Sequence, residues 1–485
     1  MHLVIFKIDI QVVNGMALSD GRRVLHKFSL EHSDSFKIAL QTLRMPSSFN
    51  PPFLWGTATA SYQIEGATLE DGRGPSVWDT FSHTPGKVER SENADIACDH
   101  YHRYVDDIQL MRDLGVGAYR FSISWSRVLP EGTGRQNQKG FDFYSRLVDG
   151  LLAAGITPFA TLFHWDLPQA LQDRGGFISR DISGWFADYA VQTAERLGDR
   201  VKHWIMLNEP SVYSLLGHAL GIHAPGVTDV TAFFAVTHHL NLAQGRAIQA
   251  LRATDSSFEL GTTLNIQRGV PADKSKASAL MAERHTDLWN GCFLGPLFAG
   301  EYPERVLPEL APHIQEGDLK ATRQPIDFLG VNHYFRVYVV ANPSSLIGYD
   351  QVDPPPGIPR TDYGWEINPT EFHEVLLEVH ERYNCPPIYI TENGAFFTDT
   401  LSADGKIHDE KRIEFLDGYL KAMQAARKQG VDIRGYFLWS LMDNFEWAAG
   451  YRPTFGIVRV DFPTRKRIPK DSYYWYRDYI RGHTT

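Results

Sequence analysis

Two glutamates lie in segments that are typical of the end of a strand. Glu209 is part of Asn208-Glu209-Pro210, and Glu392 is part of Thr391-Glu392-Asn393-Gly394. A carboxylate directly before Pro or Asn-Gly is expected where a strand gives way to a loop, not inside a helix. Two carboxyl groups, one protonated and one ionised, can cleave a glycosidic bond that lies between them. Each glutamate alone is explained more simply as a surface residue than as a catalytic one. The secondary-structure elements that position the pair decide between these two interpretations.

Eight short apolar segments, rich in β-branched and aromatic residues, are predicted to be strands. They span residues 54–60, 118–124, 156–163, 203–209, 259–266, 327–334, 387–392 and 435–441. Helical spacing is predicted between them over 102–114, 141–154 and 409–429; the first places Val105, Ile108, Met111 and Leu114 on one face and ends at Gly115. This alternation predicts an α/β fold, a (β/α)₈ TIM barrel of one domain with long βα loops, with a doubly wound open sheet as the alternative.

Polar side chains at the carboxyl ends of these strands favour the barrel. They are Arg120, His164, Asn208, Glu209, Asn332, Tyr334, Glu392 and Trp439. Burying such groups in a core costs free energy unless they are paired. In a barrel the carboxyl ends of the strands surround one pocket, which is where the active site of this fold lies. The Pro-rich segment 353–357, between the sixth and seventh strands, is accordingly predicted to belong to an active-site loop.

The composition narrows the class of protein. A net charge of -10 without a basic block argues against nucleic acid and anionic membranes as partners. The three cysteines, Cys98, Cys292 and Cys385, are far apart and form no disulfide framework. No segment approaches the roughly 20 apolar residues of a membrane span, and the N-terminus is a poor signal peptide. These features predict a cytoplasmic protein.

Residues 1–44 differ from the rest because they lack a clear period and carry scattered charges. They are predicted to be an N-terminal extension, disordered or non-native, with Met45 as a candidate natural start. The regular pattern that follows predicts one barrel domain over 45–485.

Seven motifs follow one another along the chain. They are Phe-Leu-Trp-Gly-Thr-Ala-Thr-Ala-Ser-Tyr-Gln-Ile-Glu-Gly at 53–66, Tyr-Arg-Phe-Ser-Ile-Ser-Trp-Ser-Arg at 119–127, Leu-Phe-His-Trp-Asp-Leu-Pro at 162–168, Asn-Glu-Pro at 208–210, Gly-Val-Asn-His-Tyr at 330–334, Ile-Thr-Glu-Asn-Gly at 390–394 and Trp-Ser-Leu-Met-Asp-Asn-Phe-Glu-Trp at 439–447. Together they resemble glycoside hydrolase family 1, the β-glucosidase family. The resemblance extends from Phe53 to Tyr476 and is specific because all motifs occur in order.

The resemblance implies a (β/α)₈ barrel that hydrolyses terminal β-D-glucosyl residues with retention, through a covalent intermediate. Glu209 matches the acid/base and Glu392 the nucleophile, which Arg120 and Tyr334 contact. A cation and a phenol O–H both favour an ionised carboxylate. The positions that match sugar-binding residues are Gln63, His164, Asn208, Glu446 and Trp447, with Trp439 as a platform, Asn332 near the catalytic centre, and Trp165 and Trp365 nearer the mouth.

Two positions further define the expected substrate. Relatives that act on 6-phosphorylated sugars lack the Glu446-Trp447 pair, and a carboxylate there would repel a phosphate. Relatives that cleave thioglucosides carry an amide in place of Glu209. The resemblance therefore implies O-glycosides with an unphosphorylated sugar, such as cellobiose, short cello-oligosaccharides and aryl or alkyl β-glucosides. Ser211 stands where many relatives have an aromatic residue, which leaves the preferred leaving group open.

Other functions have less support in the sequence. The histidines form no metal-binding motif, and no Walker loop, dinucleotide fingerprint or Gly-x-Ser-x-Gly elbow occurs. We therefore expect neither a metal nor a cofactor. A non-catalytic sugar-binding protein on the same fold would be expected to lack one of the two glutamates. A transglycosidase remains an alternative because it uses the same covalent intermediate. The preference among glucosides, galactosides and fucosides and the oligomeric state stay open.

Overall fold

A computed structural model of the chain describes residues 52–483, and the prediction for residues 1–44 lies outside these residues. Eight parallel strands close into a barrel in chain order: β1 (Leu54–Ala58), β2 (Ala118–Ser122), β3 (Thr157–Phe163), β4 (His203–Asn208), β5 (Glu259–Asn265), β6 (Phe328–Asn332), β7 (Ile388–Asn393) and β8 (Ile433–Trp439). Pairing of β1 with β8 closes the barrel. The predicted barrel is confirmed and the open sheet is excluded, with each predicted strand end within two residues of the observed one.

Long helices alternate with these strands. They are α1 (His100–Leu114), α2 (Gln138–Ala153), α3 (Ile182–Leu197), α4 (Val230–Thr254), α5 (Lys276–Thr286), α6 (Pro369–Tyr383), α7 (Glu410–Lys428) and α8 (Asp471–His483). The three predicted helices correspond to α1, α2 and α7, and α1 ends at Gly115 in the left-handed conformation (φ 82°). Val105 was predicted to share the apolar face of α1, which is wrong because its side chain is 62% exposed.

Shorter helical segments occupy the connections between the long elements. They span Ser61–Ile64, Val77–Ser82, Glu89–Ser91, Trp125–Val128, Gln169–Gln172, Gly176–Ile178, Pro210–Ser214, Leu215–Ala219, Asp287–Gly291, Cys292–Leu294, Gly295–Ala299, Leu307–Leu310, Ala311–His313, Asp318–Thr322 and Trp447–Ala449. No helix within residues 52–483 is both long enough and apolar enough to cross a membrane.

Aromatic side chains fill the interior of the barrel. The ring of Phe159 lies 4.9 Å from that of Phe437 and 5.4 Å from that of Tyr389, measured between centroids. Gly56 on β1 leaves room for Phe437, since a Cβ there would lie 2.6 Å from its ring. The interior of the barrel below the strand ends is therefore filled by side chains and is not a channel.

Two small sheets lie in the connections and were not predicted. Gly269–Pro271, Val337–Ala341 and Tyr349–Val352 form a three-stranded sheet, and Val458–Asp461 pairs with Lys466–Pro469. The segment 353–357 follows the first of these sheets. The same connection then reaches Trp365, whose ring centroid lies 5.5 Å from that of Tyr334, which follows β6. The contact of Trp365 brings the later part of this connection to the barrel rim, and the assignment of 353–357 to an active-site loop stays a prediction.

Candidate active site

Glu392 lies near the end of β7 and is paired with a cation. Its Oε1 accepts a hydrogen bond from Nη1 of Arg120 at 2.5 Å, and its Oε2 accepts one from the hydroxyl of Tyr334 at 2.7 Å. All three side chains are buried, and Arg120 comes from β2, across the barrel from β7. Each carboxylate oxygen of Glu392 thus has a strong donor, which favours its ionised form.

Glu209 directly follows β4 and has a different environment. Its backbone is left-handed (φ 44°, ψ 60°), and Pro210 begins the short helix that follows. Such a conformation costs about 1–2 kcal/mol for a residue with a Cβ. Its N–H donates to the carbonyl of Thr263 at 2.9 Å, which ties the turn to β5. Its Oε1 accepts only amide hydrogen bonds, from Nδ2 of Asn332 at 2.8 Å and Nδ2 of Asn265 at 2.9 Å.

A chain of buried side chains connects the two glutamates. Nδ2 of Asn332 also lies 3.1 Å from Oδ1 of Asn208, and that oxygen accepts from Nη2 of Arg120 at 2.6 Å. Arg120 in turn contacts Glu392. The orientation of each group is therefore set by its neighbours, and the two carboxyl groups belong to one network.

The two carboxyl groups differ in acidity. Burial is the largest cause that raises the pKa of Glu209, and the negative charge of Glu392 raises it further. Burial also raises the pKa of Glu392, but Arg120 and Tyr334 directly oppose that effect. Only amides donate to the carboxyl group of Glu209, whereas a cation and a phenol donate to that of Glu392. The arrangement therefore favours a proton on Glu209 over one on Glu392.

His164, just beyond β3, has a definable protonation state. The Oδ1 atom of Asn208 accepts from Arg120, so its Nδ2 is the atom that donates to Nε2 of His164, at 2.9 Å. Burial and the charge of Arg120 hold the pKa of His164 well below its usual value. The imidazole is therefore neutral, with its hydrogen on Nδ1.

Among the side chains predicted to bind the sugar, two polar atoms are buried and have no hydrogen-bond partner within residues 52–483. They are Nδ1 of His164, a donor, and Oε1 of Gln63, an acceptor. The Nε2 atom of Gln63 is already used, because it donates to Phe445 O at 2.9 Å and lies 3.3 Å from Oε2 of Glu446. Since buried polar groups are normally paired, the two free atoms are suited to the hydroxyls of a ligand, which both donate and accept.

Aromatic rings lie beside these polar groups. The ring of His164 is nearly parallel to those of Trp439 and Trp447, each at 6.0 Å, and Trp447 is 4.6 Å from Trp165. Trp365 is nearly parallel to Phe335 at 4.6 Å and to Tyr363 at 4.7 Å. Trp439 and Trp447 are buried, whereas Trp365 is partly exposed.

Every site residue predicted from the sequence is thus linked to one region at the carboxyl ends of the strands. Asn265 was missed, although it ends β5 as Asn332 ends β6, and the two are paired in register. The same criterion, a polar side chain at the end of a predicted strand, would have found it. Within residues 52–483, no three His, Cys, Asp or Glu side chains are grouped as a metal ion requires.

Comparisons with known proteins agree with this geometry. The profile of Glycosyl hydrolase family 1 matches residues 45–485. Beta-glucosidase A of Thermotoga maritima is 48% identical over 440 residues, 90% of this chain and 98% of that protein. A bifunctional beta-D-glucosidase/beta-D-fucosidase of Bifidobacterium breve is 42% identical, over 91% of this chain and 100% of that protein. The structure of the Thermotoga maritima beta-glucosidase in complex with deoxynojirimycin superposes with a TM-score of 0.85 at 47% identity, covering 89% of this chain and 98% of that chain.

Proposed function

This chain belongs to glycosyl hydrolase family 1 and is a glycoside hydrolase of the β-glucosidase type, and we propose that it acts with retention through a covalent glucosyl-enzyme intermediate. The observation that supports this most is the unequal pairing of the two glutamates. Arg120 and Tyr334 both contact Glu392, whereas Glu209 receives only amide donors. An ionised nucleophile and a protonated acid are what the retaining reaction requires.

In the proposed reaction Glu392 attacks the anomeric carbon while Glu209 gives its proton to the departing oxygen. Glu209, now ionised, then takes a proton from a water molecule, and that water displaces Glu392 from the sugar. Direct attack requires the two carboxyl groups to be about 5–5.5 Å apart. The hydrogen-bonded chain of Asn332, Asn208 and Arg120 between them supports a fixed separation.

The sugar of the non-reducing end is proposed to lie against Trp439. Its hydroxyls would contact Gln63, His164, Asn208, Glu446 and Trp447. The free acceptor of Gln63 and the free donor of His164 support this placement. Trp165 and Trp365 are proposed to lie toward the leaving group.

The proposed substrates are cellobiose, short cello-oligosaccharides and aryl or alkyl β-glucosides, with neither nucleic acid nor membrane as a partner, in the cytoplasm. Activity on β-fucosides is proposed because a relative carries that name, and activity on β-galactosides and transfer to sugar acceptors are proposed beside it. A panel of p-nitrophenyl β-glycosides, cellobiose and a 6-phosphoglucoside tests the proposal. Cleavage of the phosphorylated compound in preference to the plain glucosides would contradict it.

Glu446→Ser is expected to reduce kcat/KM on a plain β-glucoside about ten- to a hundredfold or more. Burial and the charge of Glu392 raise the pKa of Glu446 to about 8, and we expect its carboxyl group to form hydrogen bonds with two hydroxyls of the sugar. Their loss in a desolvated site costs about 1–3 kcal/mol. Steady-state kinetics with p-nitrophenyl β-glucoside measure the effect, and Glu414→Ser, on the surface of α7, is the control. An unchanged kcat/KM would show that Glu446 does not contact the sugar.

A chain that begins at Met45 is expected to have the same Tm and kcat as the full chain. The family match begins at residue 45, and β1 begins at Leu54. Thermal unfolding and kinetics on the two chains measure this. A Tm lower by more than a few degrees, or a loss of activity, would show that residues 1–44 contribute to the catalytic domain.

A further inference from the structure

We infer that Asn265 is a positioning residue for the proposed acid/base, holding the carboxyl group of Glu209 so that its proton lies on Oε2. This inference rests on the role proposed for Glu209. It adds which carboxyl oxygen of Glu209 delivers the proton and which residue determines that choice.

Two amides from neighbouring strands contact one oxygen of Glu209. Asn265 ends β5 and Asn332 ends β6, and the two residues are paired in register. Their Nδ2 atoms lie 2.9 and 2.8 Å from Oε1 of Glu209. Within residues 52–483, Oε2 has no hydrogen-bond partner. It is also not one of the fully buried polar atoms without a partner, so part of its surface is accessible. Oε2 is therefore the oxygen that a ligand can reach.

The chemistry of a carboxylic acid then places the hydrogen. A protonated carboxyl group has one hydroxyl oxygen and one carbonyl oxygen. A hydrogen on Oε1 would point at two N–H donors, whereas Oε1 as the carbonyl oxygen accepts from both. The proton of Glu209 therefore lies on Oε2, and the two amides prevent the carboxyl group from rotating to exchange its oxygens.

The two amides are not equivalent. Asn332 is held by other groups, because its Oδ1 accepts from Thr391 Oγ1 at 2.7 Å and its Nδ2 also lies near Asn208. Asn265 has Glu209 as its only side-chain partner within residues 52–483. Substitution of Asn265 therefore changes the surroundings of Glu209 without breaking the network of Asn208 and Arg120.

The direction of the effect follows from the groups that face Glu209. Glu392 on β7 raises the pKa of Glu209, while Arg120 on β2 and the amides of Asn332 and Asn265 lower it; the phenol of Tyr334 contributes no charge, because burial raises its pKa. An N–H donor favours the ionised carboxylate, so removal of Asn265 raises the pKa of Glu209 further. The acid must be protonated in the glycosylation step, so the enzyme should remain active to higher pH.

The test is the pH dependence of kcat/KM on p-nitrophenyl β-glucoside for the wild type, Asn265→Ala and Asn265→Asp. The basic limb reports the pKa of the acid in the free enzyme. It is expected to move up by about one pH unit in Asn265→Ala. It should move further in Asn265→Asp, which adds a like charge. Asn342→Ala, in the hairpin of Val337–Ala341 and Tyr349–Val352, is the control and should leave the limb in place.

A purely structural role for Asn265 would lower the rate equally at every pH and leave the basic limb where it is, and that result would overturn the inference. A downward shift would overturn it as well. If Asn265→Ala does not fold, Asn265→Leu, which is close to Asn in size but lacks both the N–H donor and a charge, provides the same test. Absence of a basic limb, or of glucoside hydrolysis, in the wild type would instead contradict the proposed function.

Discussion

Glu392→Ala is expected to abolish turnover of every β-glucoside, including those with the best leaving groups. The covalent intermediate cannot form without this carboxylate, and a leaving group that departs easily does not replace it. Losses of this kind reach about 10⁴-fold or more when a nucleophile is removed. The change also leaves Arg120 and Tyr334 without the partner that each contacts at 2.5 and 2.7 Å. Initial rates with 2,4-dinitrophenyl β-glucoside and with cellobiose measure the effect.

Glu371→Ala is the matched control for this prediction. Glu371 is also a buried glutamate paired with an arginine, since its Oε1 accepts from Nε of Arg268 at 2.6 Å, but it lies on α6 and not at the barrel rim. It should lower Tm because Arg268 loses its buried partner and keeps only the exposed Glu374 and Glu378, while most of the activity of the folded enzyme remains. Equal losses in the two variants would mean that Glu392 acts through stability, and a Glu392→Ala enzyme with substantial activity would exclude it as the nucleophile.

Glu209→Ala is expected to lose activity in proportion to the need of the leaving group for a proton. Cellobiose, whose leaving group is a basic alcohol, should be nearly inert, with a loss at the upper end of the about 10²–10⁴-fold that general acid catalysis contributes. Dinitrophenolate departs unprotonated, so glycosylation from 2,4-dinitrophenyl β-glucoside should stay fast. Deglycosylation lacks its base, so the intermediate should accumulate and a burst of dinitrophenol equal to the enzyme concentration should appear.

Stopped-flow absorbance at several enzyme concentrations measures that burst. Glu209→Gln is the companion variant, since it retains the shape and hydrogen bonding of the side chain but cannot donate an acidic proton. It should reproduce the dependence on the leaving group. Equal losses on cellobiose and on the dinitrophenyl substrate, without a burst, would show that Glu209 binds the sugar and does not transfer a proton.

The barrel was predictable because the local pattern and the global fold agree. Segment 387–392 is apolar on both faces as far as Ile390, which is typical of a strand buried on both sides in a parallel barrel, and segment 118–124 has one face of Tyr119, Phe121 and Ile123. Their polar ends at Arg120 and Glu392 have few other places to lie. The two glutamates could therefore be placed in one pocket before any contact was known.

What the sequence could not provide depends on contacts between distant segments. The tautomer of His164 follows from Arg120 and Asn208, which come from two other strands. Val105 has the same helical spacing as Ile108, yet its side chain is exposed. Helical spacing identifies the apolar face of a helix but not which residue at the edge of that face stays in contact with solvent. The strands at 337–341 and 349–352 form within a long connection, where hairpin pairing is decided by tertiary packing.

The configuration of the products formed with azide tests the assignment of the two glutamates most directly. Azide needs no base, so with Glu209→Ala it should attack the intermediate from the face that water uses and give β-glucosyl azide. With Glu392→Ala it should enter the space of the missing carboxylate and give the α-azide from an activated β-glucoside. Proton NMR of the anomeric hydrogens distinguishes the two products. If Glu209→Ala gave the α-azide and Glu392→Ala the β-azide, the two glutamates would have the opposite roles. If azide restored the activity of neither variant, the retaining mechanism proposed here would be contradicted.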